Sequence, residues 1–289
     1  LYFFDALTDM DVIAGKQLLR IPMEKERWES ALEQYDQIIF LDYGFEPRMA
    51  EIIRPLTPAR LILFFWNHLT EEKIQLLRHT QAQQVIDDIY SFDAIEAKHF
   101  NLKHNSSFYS KEVMLPKRRT SHDLFFGASN NGRMDAAKTI LTILKTLHVD
   151  THYFILNGKG SDQKGFLPYM DYLALMAQSK SILEIMRPGQ TGITLRSLEA
   201  LYFKKKLVTT NTKIRHYHFY APENIFIIGE DDFDDLPDFL ASPYQDTEED
   251  LLDFYSDKQW AQRFYYESTS ELEESEYKPQ LIHDYQHVD

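Results

Sequence analysis

The 289-residue chain contains no cysteine. That excludes a disulfide framework, a thiolate nucleophile and any Cys-ligated metal, and it fits a reducing compartment. No apolar run approaches the ~20 residues needed to span a bilayer. The run "LILFFW" (Leu61–Trp66) has the length of a buried strand. Also missing are a G-x-S-x-G elbow, a phosphate-loop Gly-Lys-Ser/Thr, a G-x-G-x-x-G fingerprint and a paired-His helix, which removes the commonest hydrolase, NTPase, dinucleotide and zinc-peptidase readings. His216 and His218 in "RHYHFY" stand two apart, and their aromatic neighbours suit either a core or a stacking surface. The chain begins at Leu1 rather than Met and carries no signal-peptide pattern, so further N-terminal sequence is an expectation.

Basic character is also missing. The net charge is −14, and it is unevenly placed: residues 230–289 hold 19 acids against 3 Lys/Arg, leaving residues 1–229 at +2. A near-neutral body with an acidic end is the opposite of the basic stripe that tracks a phosphate backbone, so nucleic acid is not an expected partner.

Apolar patterning alternates between short runs and helical periods. "QIIFLD" (Gln37–Asp42), "RLILFFW" (Arg60–Trp66) and "QVIDDIYSF" (Gln84–Phe92) read as strands; Phe45–Leu56 and Leu69–Thr80 read as helices, the latter N-capped by Thr70. Periodicity fails over Asn101–Ser121, which contains Lys117-Arg118-Arg119, and a linker is expected near Leu115–Ser121. A second series follows: strands at His122–Gly127, Thr151–Gly158, Ser181–Met186, Lys206–Thr210 and Asn224–Gly229, with helices at Arg133–Leu147, Phe166–Ser179 and after Gly192. Strands alternating with helices predict βαβ units, hence an α/β fold of two Rossmann-like domains facing a cleft. The expected domains are residues 1–120, 121–249, and a 250–289 piece in which a helix around Asp250–Tyr266 packs back on the first domain, followed by an acidic tail.

Three places suit chemistry. In "RPGQTGITLRSLEALYFKKKLVTTN" (Arg187–Asn211), Gly192 precedes a helix for which Thr191 and Thr194 are both candidate N-caps. A helix N-terminus favours an anion; Arg196 and Glu199 share a face, the arginine placed for a diphosphate and the glutamate for ribose hydroxyls, although such a pair is equally a surface ion pair. In "FFGASNNGRMDAA", Gly127 is expected to open a loop and Arg133 to begin a helix beside a phosphate, or the stretch is an ordinary turn. Asp42, Asn67 and His68 stand at strand carboxyl ends, where α/β folds place ligands and where a general base suits an acceptor hydroxyl; capping is the plainer role.

"TGITLRSLEAL" resembles the donor-site segment of two-Rossmann (GT-B) glycosyltransferases, which read roughly E-G-F-G-x-x-x-x-E-A. Gly192 and Glu199-Ala200 match, Thr191 stands in place of the first Glu, and Thr194 replaces the second Gly. The closer likeness is to bacterial lipopolysaccharide and surface-polysaccharide glycosyltransferase-like proteins, with strings similar to "QTGLTxRxxExLxxxKKLITTN"; "FFWNH", "YSFDAIEAKHFNLKH" and "YHFYAPENIFII" extend it over most of residues 35–230. The resemblance implies a cytoplasmic enzyme, with peripheral association at the inner face of the plasma membrane left open. It implies transfer of a sugar from a nucleotide donor to a glycan or lipid-linked acceptor; no metal or other cofactor is expected, because metal-ligand clusters are missing from the sequence and Arg196 and Arg133 are available for the phosphate charge. The donor-side residues on this reading are Gly127, Arg133, Gln190, Thr191, Gly192, Arg196 and Glu199, and the catalytic side holds Asp42, Asn67 and His68. A non-catalytic sugar-nucleotide or glycan-binding homologue acting as an assembly partner, or a nucleotide-sugar epimerase, remains open beside it.

Overall fold

The computed structural model describes Leu32 and residues 35–156 and 167–266. They fall into two compact units, one comprising residues up to Ser107 together with those from Trp260, the other Phe108–Gln259.

The first unit is built on a parallel sheet of β1 (Gln37–Leu41), β2 (Arg60–Phe65), β3 (Asp88–Ser91) and β4 (Lys103–His104), in that spatial order. Its helices are α1 (Pro47–Ile53), α2 (Glu71–Gln83) and α3 (Ala94–His99). β2 is almost continuously apolar because it is covered on both faces, as central parallel strands are. Alternation divides its side chains: Leu61, Leu63 and Phe65 join a core with Ala50, Ile53 and Leu77 from α1 and α2. Phe64 turns to the other face, where Trp260 and Phe264 meet it edge-on with ring centroids 5.0 and 5.9 Å away, and Tyr90 meets Phe264 at 4.7 Å.

The second unit is a five-stranded parallel sheet in the order β6-β5-β7-β8-β9: β5 (His122–Ser129), β6 (Thr151–Leu156), β7 (Ser179–Glu184), β8 (Lys206–Thr209) and β9 (Ile225–Ile227). Helices α4 (Met134–Thr146), α5 (Tyr169–Met176) and α6 (Leu195–Tyr202) supply the layers, followed by α7 (Leu236–Ala241) and α8 (Glu249–Phe254). Leu124, Phe126, Ala137 and Ile140 form one core; Phe125, Leu173, Ile182, Leu198 and Leu201 form the other. Tyr217 and Phe219 of the aromatic stretch are core side chains here. An α/β architecture with two parallel, Rossmann-like sheets is therefore present.

Two boundaries differ from the sequence expectation. The first unit ends at Ser107, because Phe108 and Tyr109 are buried and Tyr109 bridges in parallel to Ser256 within the second unit. The expected single helix over Asp250–Tyr266 is two, α8 and α9 (Asp257–Tyr266), interrupted where Tyr255 and Ser256 are buried. Leu251, Leu252 and Phe254 pack in the second unit, and the residues from Trp260 in the first. The acidic tail after Tyr266 lies outside the described residues.

In β4, His104 Nε2–H donates to the Phe92 carbonyl (3.3 Å). Burial pushes the imidazole down to about 4, outweighing that bond and the Asp93 charge. The unfolded chain, with an ordinary imidazole near ~6.5, then binds the proton more readily. Stability is therefore expected to fall as pH drops from about 6.5 towards 4, by at most about 3 kcal/mol from this group. Urea unfolding at several pH values should show this slope in the wild type and its loss in His104→Gln; parallel stability curves would refute the assignment.

Candidate functional site

The strand order of the second sheet reverses between β5 and β7, so their carboxyl ends form the crevice in which open α/β sheets receive ligands. Three arginines converge there. The β5 strand runs on to Ser129, and the turn after it passes through Asn131 and Gly132 at φ +41° and +82°, the left-handed region that Asn and Gly tolerate. This turn delivers Arg133 to the start of α4, where it is only 6% exposed and its Nη1 donates to the Ile185 carbonyl beyond β7 (2.7 Å). Its Nε is buried with no hydrogen-bond partner among the described residues.

Arg187 follows β7. With the Asn131 amide oriented so that both groups are satisfied, Arg187 Nη2 donates to Asn131 Oδ1 at 2.6 Å. Arg196, in the first turn of α6, lays its guanidinium on the Gly127 carbonyl through Nε (3.0 Å) and Nη2. Burial, then repulsion from Arg196 and Arg187, lowers the Arg133 pKa to about 9; burial and Arg196 also lower that of Arg187. Both shifts have the same physical origin, cations held close together and away from water.

The balancing group is Glu184, the last residue of β7 and fully buried. It accepts from the hydroxyls of Thr194, Ser197 (2.9 Å) and Thr209. Thr194 is the N-cap of α6 and accepts from Arg196 N–H (3.0 Å), so Thr194 rather than Thr191 starts the helix. One carboxylate thus ties β7, β8 and the N-terminal turn of α6 together. Three arginines against one glutamate leave a formal +2 at this strand edge, a charge that suits a diphosphate.

The other expected donor-side residues stand as follows. Gln190 and Thr191 are partly buried on the loop leading to α6, Gly192 is buried, and the Thr191 carbonyl accepts from Asn211 Nδ2 (3.2 Å). Gly127 does not open the loop; it lies within β5, and a Cβ there would stand 2.7 Å from the Phe154 ring and 2.8 Å from Tyr172. Its missing side chain is needed for aromatic packing, and only its carbonyl reaches the site.

Glu199 is displaced from the role expected for it. It is 1% exposed, and its two carboxylate oxygens accept from Tyr169 (2.8 Å) and Tyr172 (3.0 Å), with Tyr109 bonded to Tyr169 behind them (2.6 Å). Burial, then the Glu199 charge, raises all three phenols. A ribose could reach this carboxylate only by displacing tyrosines. Position three after Arg196 puts the two residues on one helix face in sequence, but the packing of α5 against α6 closes the second while leaving the first at the sheet edge.

Glu184 and Arg187 were not singled out in the sequence. A signal existed for the first: a lone acid in the apolar "SILEIM", which a strand buried on both faces accepts only if hydroxyls or cations meet it.

In the first unit, Asp42 and Asn67 come together, whereas His68 meets Glu96 instead. Asp42 is buried, accepts from Trp66 N–H (2.8 Å) and Asn67 Nδ2 (3.3 Å), and is ion-paired with Lys73. His68 lies against Glu96. Asp42 is thereby committed to joining β1 to β2 and α2.

Comparison with family models and with curated proteins returns no match.

Removing the Glu184 acceptor should be felt throughout this edge. Glu184→Ala strands three hydroxyls and the charge opposite Arg133, and a loss of at least ~2 kcal/mol is expected in chemical unfolding. A variant as stable as the wild type would show that the hydroxyls find other partners.

Proposed function

We propose that the chain is a nucleotide-sugar-dependent glycosyltransferase of the two-Rossmann, GT-B-like kind. Its second unit would hold the donor's diphosphate on Arg133, Arg187 and Arg196. The observation carrying this reading is the buried Arg133 Nε, a charged donor with no partner among the described residues, set between two further arginines at the strand-order reversal. A buried, unpaired donor is costly unless an acceptor completes it, and a phosphate oxygen does so with charge assistance.

On this reading the same cations serve catalysis. As the sugar–phosphate bond breaks, negative charge grows on the departing diphosphate, and pre-positioned guanidinium groups stabilise it without reorganising. Glu199 has no part in the ligand set; the Thr191–Thr194 loop and the start of α6 are the elements nearest the sugar-nucleotide. The acceptor, a glycan or a lipid-linked saccharide, follows from the resemblance of "TGITLRSLEAL" to the family segment.

One observation favours a second reading, a non-catalytic sugar-nucleotide-binding homologue. Asp42 is spent on Lys73, and Glu199 on two tyrosines, so two acids expected to act are occupied by structural duties. Nucleotide release in the presence of a bound donor separates the two readings.

Calorimetry with UDP, GDP, dTDP and CMP and their sugars is the direct test. Arg133→Met and Arg187→Ala should each weaken the best nucleoside diphosphate by roughly 10–100-fold, the loss of one charge-assisted bond of ~1.5–3 kcal/mol. Unchanged affinity in both variants, with the fold retained, would remove the diphosphate from this site. Turnover is expected to survive EDTA; a reproducible requirement for Mg²⁺ or Mn²⁺ would assign the leaving-group chemistry elsewhere.

A further inference from the structure

Each of the three arginines in the second unit is anchored by a neutral oxygen. Arg133 donates to the Ile185 carbonyl and Arg196 to that of Gly127. Arg187 donates to a side chain instead: with its amide oriented as above, Asn131 Oδ1 accepts from Nη2 at 2.6 Å and from Nε at 3.2 Å. A neutral oxygen orients a guanidinium without cancelling its charge, whereas a carboxylate in the same place would do both. Glu184 meanwhile spends its oxygens on three hydroxyls. Of the three anchors, Asn131 is the one whose chemistry a side-chain substitution can change.

Two tight turns set this pair. In Arg187-Pro188-Gly189-Gln190, the Gln190 N–H donates to the Arg187 carbonyl (3.2 Å) and Gly189 has φ +81°. Pro at the second position and a positive-φ Gly at the third are the marks of a type II turn, which fixes the Arg187 backbone. The turn after β5 packs against it, since a Cβ on Gly132 would stand 3.6 Å from the Pro188 ring. Asn131, exposed and at φ +41°, presents its amide from that second turn. The long Arg187 side chain is what remains to be placed, and the amide oxygen places it through two donors at once.

We propose that Asn131 is the positioning residue that sets the charge class this site reads. By holding Arg187 through an uncharged oxygen, it keeps three cations available for a diphosphate; an acid there would discharge one of them and leave a site suited to a phosphate monoester. The proposal rests on the diphosphate reading above. Burial and Arg196 already press Arg187 towards its neutral form, so a ligand oxygen that answers its charge gains from relieving both.

Two substitutions that suit a left-handed residue test this. Asn131→Gly removes the amide, and Asn131→Asp keeps its shape while adding a charge. Calorimetry on the full chain uses UDP, GDP and dTDP, their monophosphates, and inorganic pyrophosphate as a probe without a nucleoside. Asn131→Gly should weaken the best diphosphate by about three- to tenfold, through loss of one oriented donor group. Asn131→Asp should weaken it more, by about tenfold or beyond, and should narrow the preference for the diphosphate over its monophosphate. In the Arg187→Ala background, adding Asn131→Gly should cost no more than about twofold, because the amide's partner is gone.

A residue needed only for the turn would give the reverse order, since aspartate resembles asparagine more closely than glycine does. Asn131→Asp milder than Asn131→Gly, or neither variant altering affinity, therefore overturns the proposal and leaves the arginine site standing. If Asn131→Asp melts early, additivity of Asn131→Gly with Arg187→Ala overturns it; if Asn131→Gly melts early, an unchanged diphosphate preference in Asn131→Asp does so. A wild type that binds neither pyrophosphate nor any nucleoside diphosphate removes the arginine site itself, and this role of Asn131 with it.

Discussion

The fully buried carboxylate of Glu184 is the group on which the arginine-bearing edge of the second unit depends. An isolated buried charge is expensive, and this one is satisfied by three hydroxyls donated from two different elements, α6 and β8. Because Thr194 both donates to it and caps α6, the start of that helix is set by the end of β7. Arg196 then inherits its position from the helix and closes on the Gly127 carbonyl of β5. The negative charge also offsets part of the repulsion among the arginines, favouring the protonated form of Arg133. Three arginines next to the strand-order reversal are thus set against one buried anion.

The two buried glutamates of this unit do opposite work. Glu184 meets three hydroxyls and lies against more cationic charge than it can neutralise. Glu199, one helical turn away on the same face as Arg196, finds phenolic hydroxyls and completes itself inside the core. Helical spacing cannot separate Glu199 from Arg196, because what differs is the neighbour across the interface: α5 brings Tyr169 and Tyr172 to the glutamate, whereas β5 brings the Gly127 carbonyl to the arginine.

The same contrast runs through the first unit. Asp42, Asn67 and His68 were legible as residues at strand carboxyl ends, since "QIIFLD" and "LILFFWNH" mark where each strand stops. Their partners were not. Lys73 sits in α2 and Glu96 in α3, and only the packing of those helices against β1–β3 shows that the aspartate is neutralised by a lysine while the histidine is supported by a glutamate.

Local periodicity was sufficient for the α/β class and for the place of the longer strands and helices, because burial on parallel sheets imprints apolar runs and amphipathic helices directly on the residues; the short β4, α3 and α7 were not read from it. It was also sufficient to find Arg133 and Arg196, which stand at strand-to-helix turns. It failed at the end of the first unit and in the C-terminal helices. There Phe108, Tyr109 and Trp260 are claimed by cores distant in sequence, and a polar stretch around them reads as linker. The sequence by itself therefore determined which residues could build strands, helices and charged turns. Tertiary structure alone decided which polar groups were completed and which were left without a described partner, because completion depends on groups brought from other elements: Gly127 to Arg196, three hydroxyls to Glu184, tyrosines to Glu199, and no described partner to Arg133 Nε.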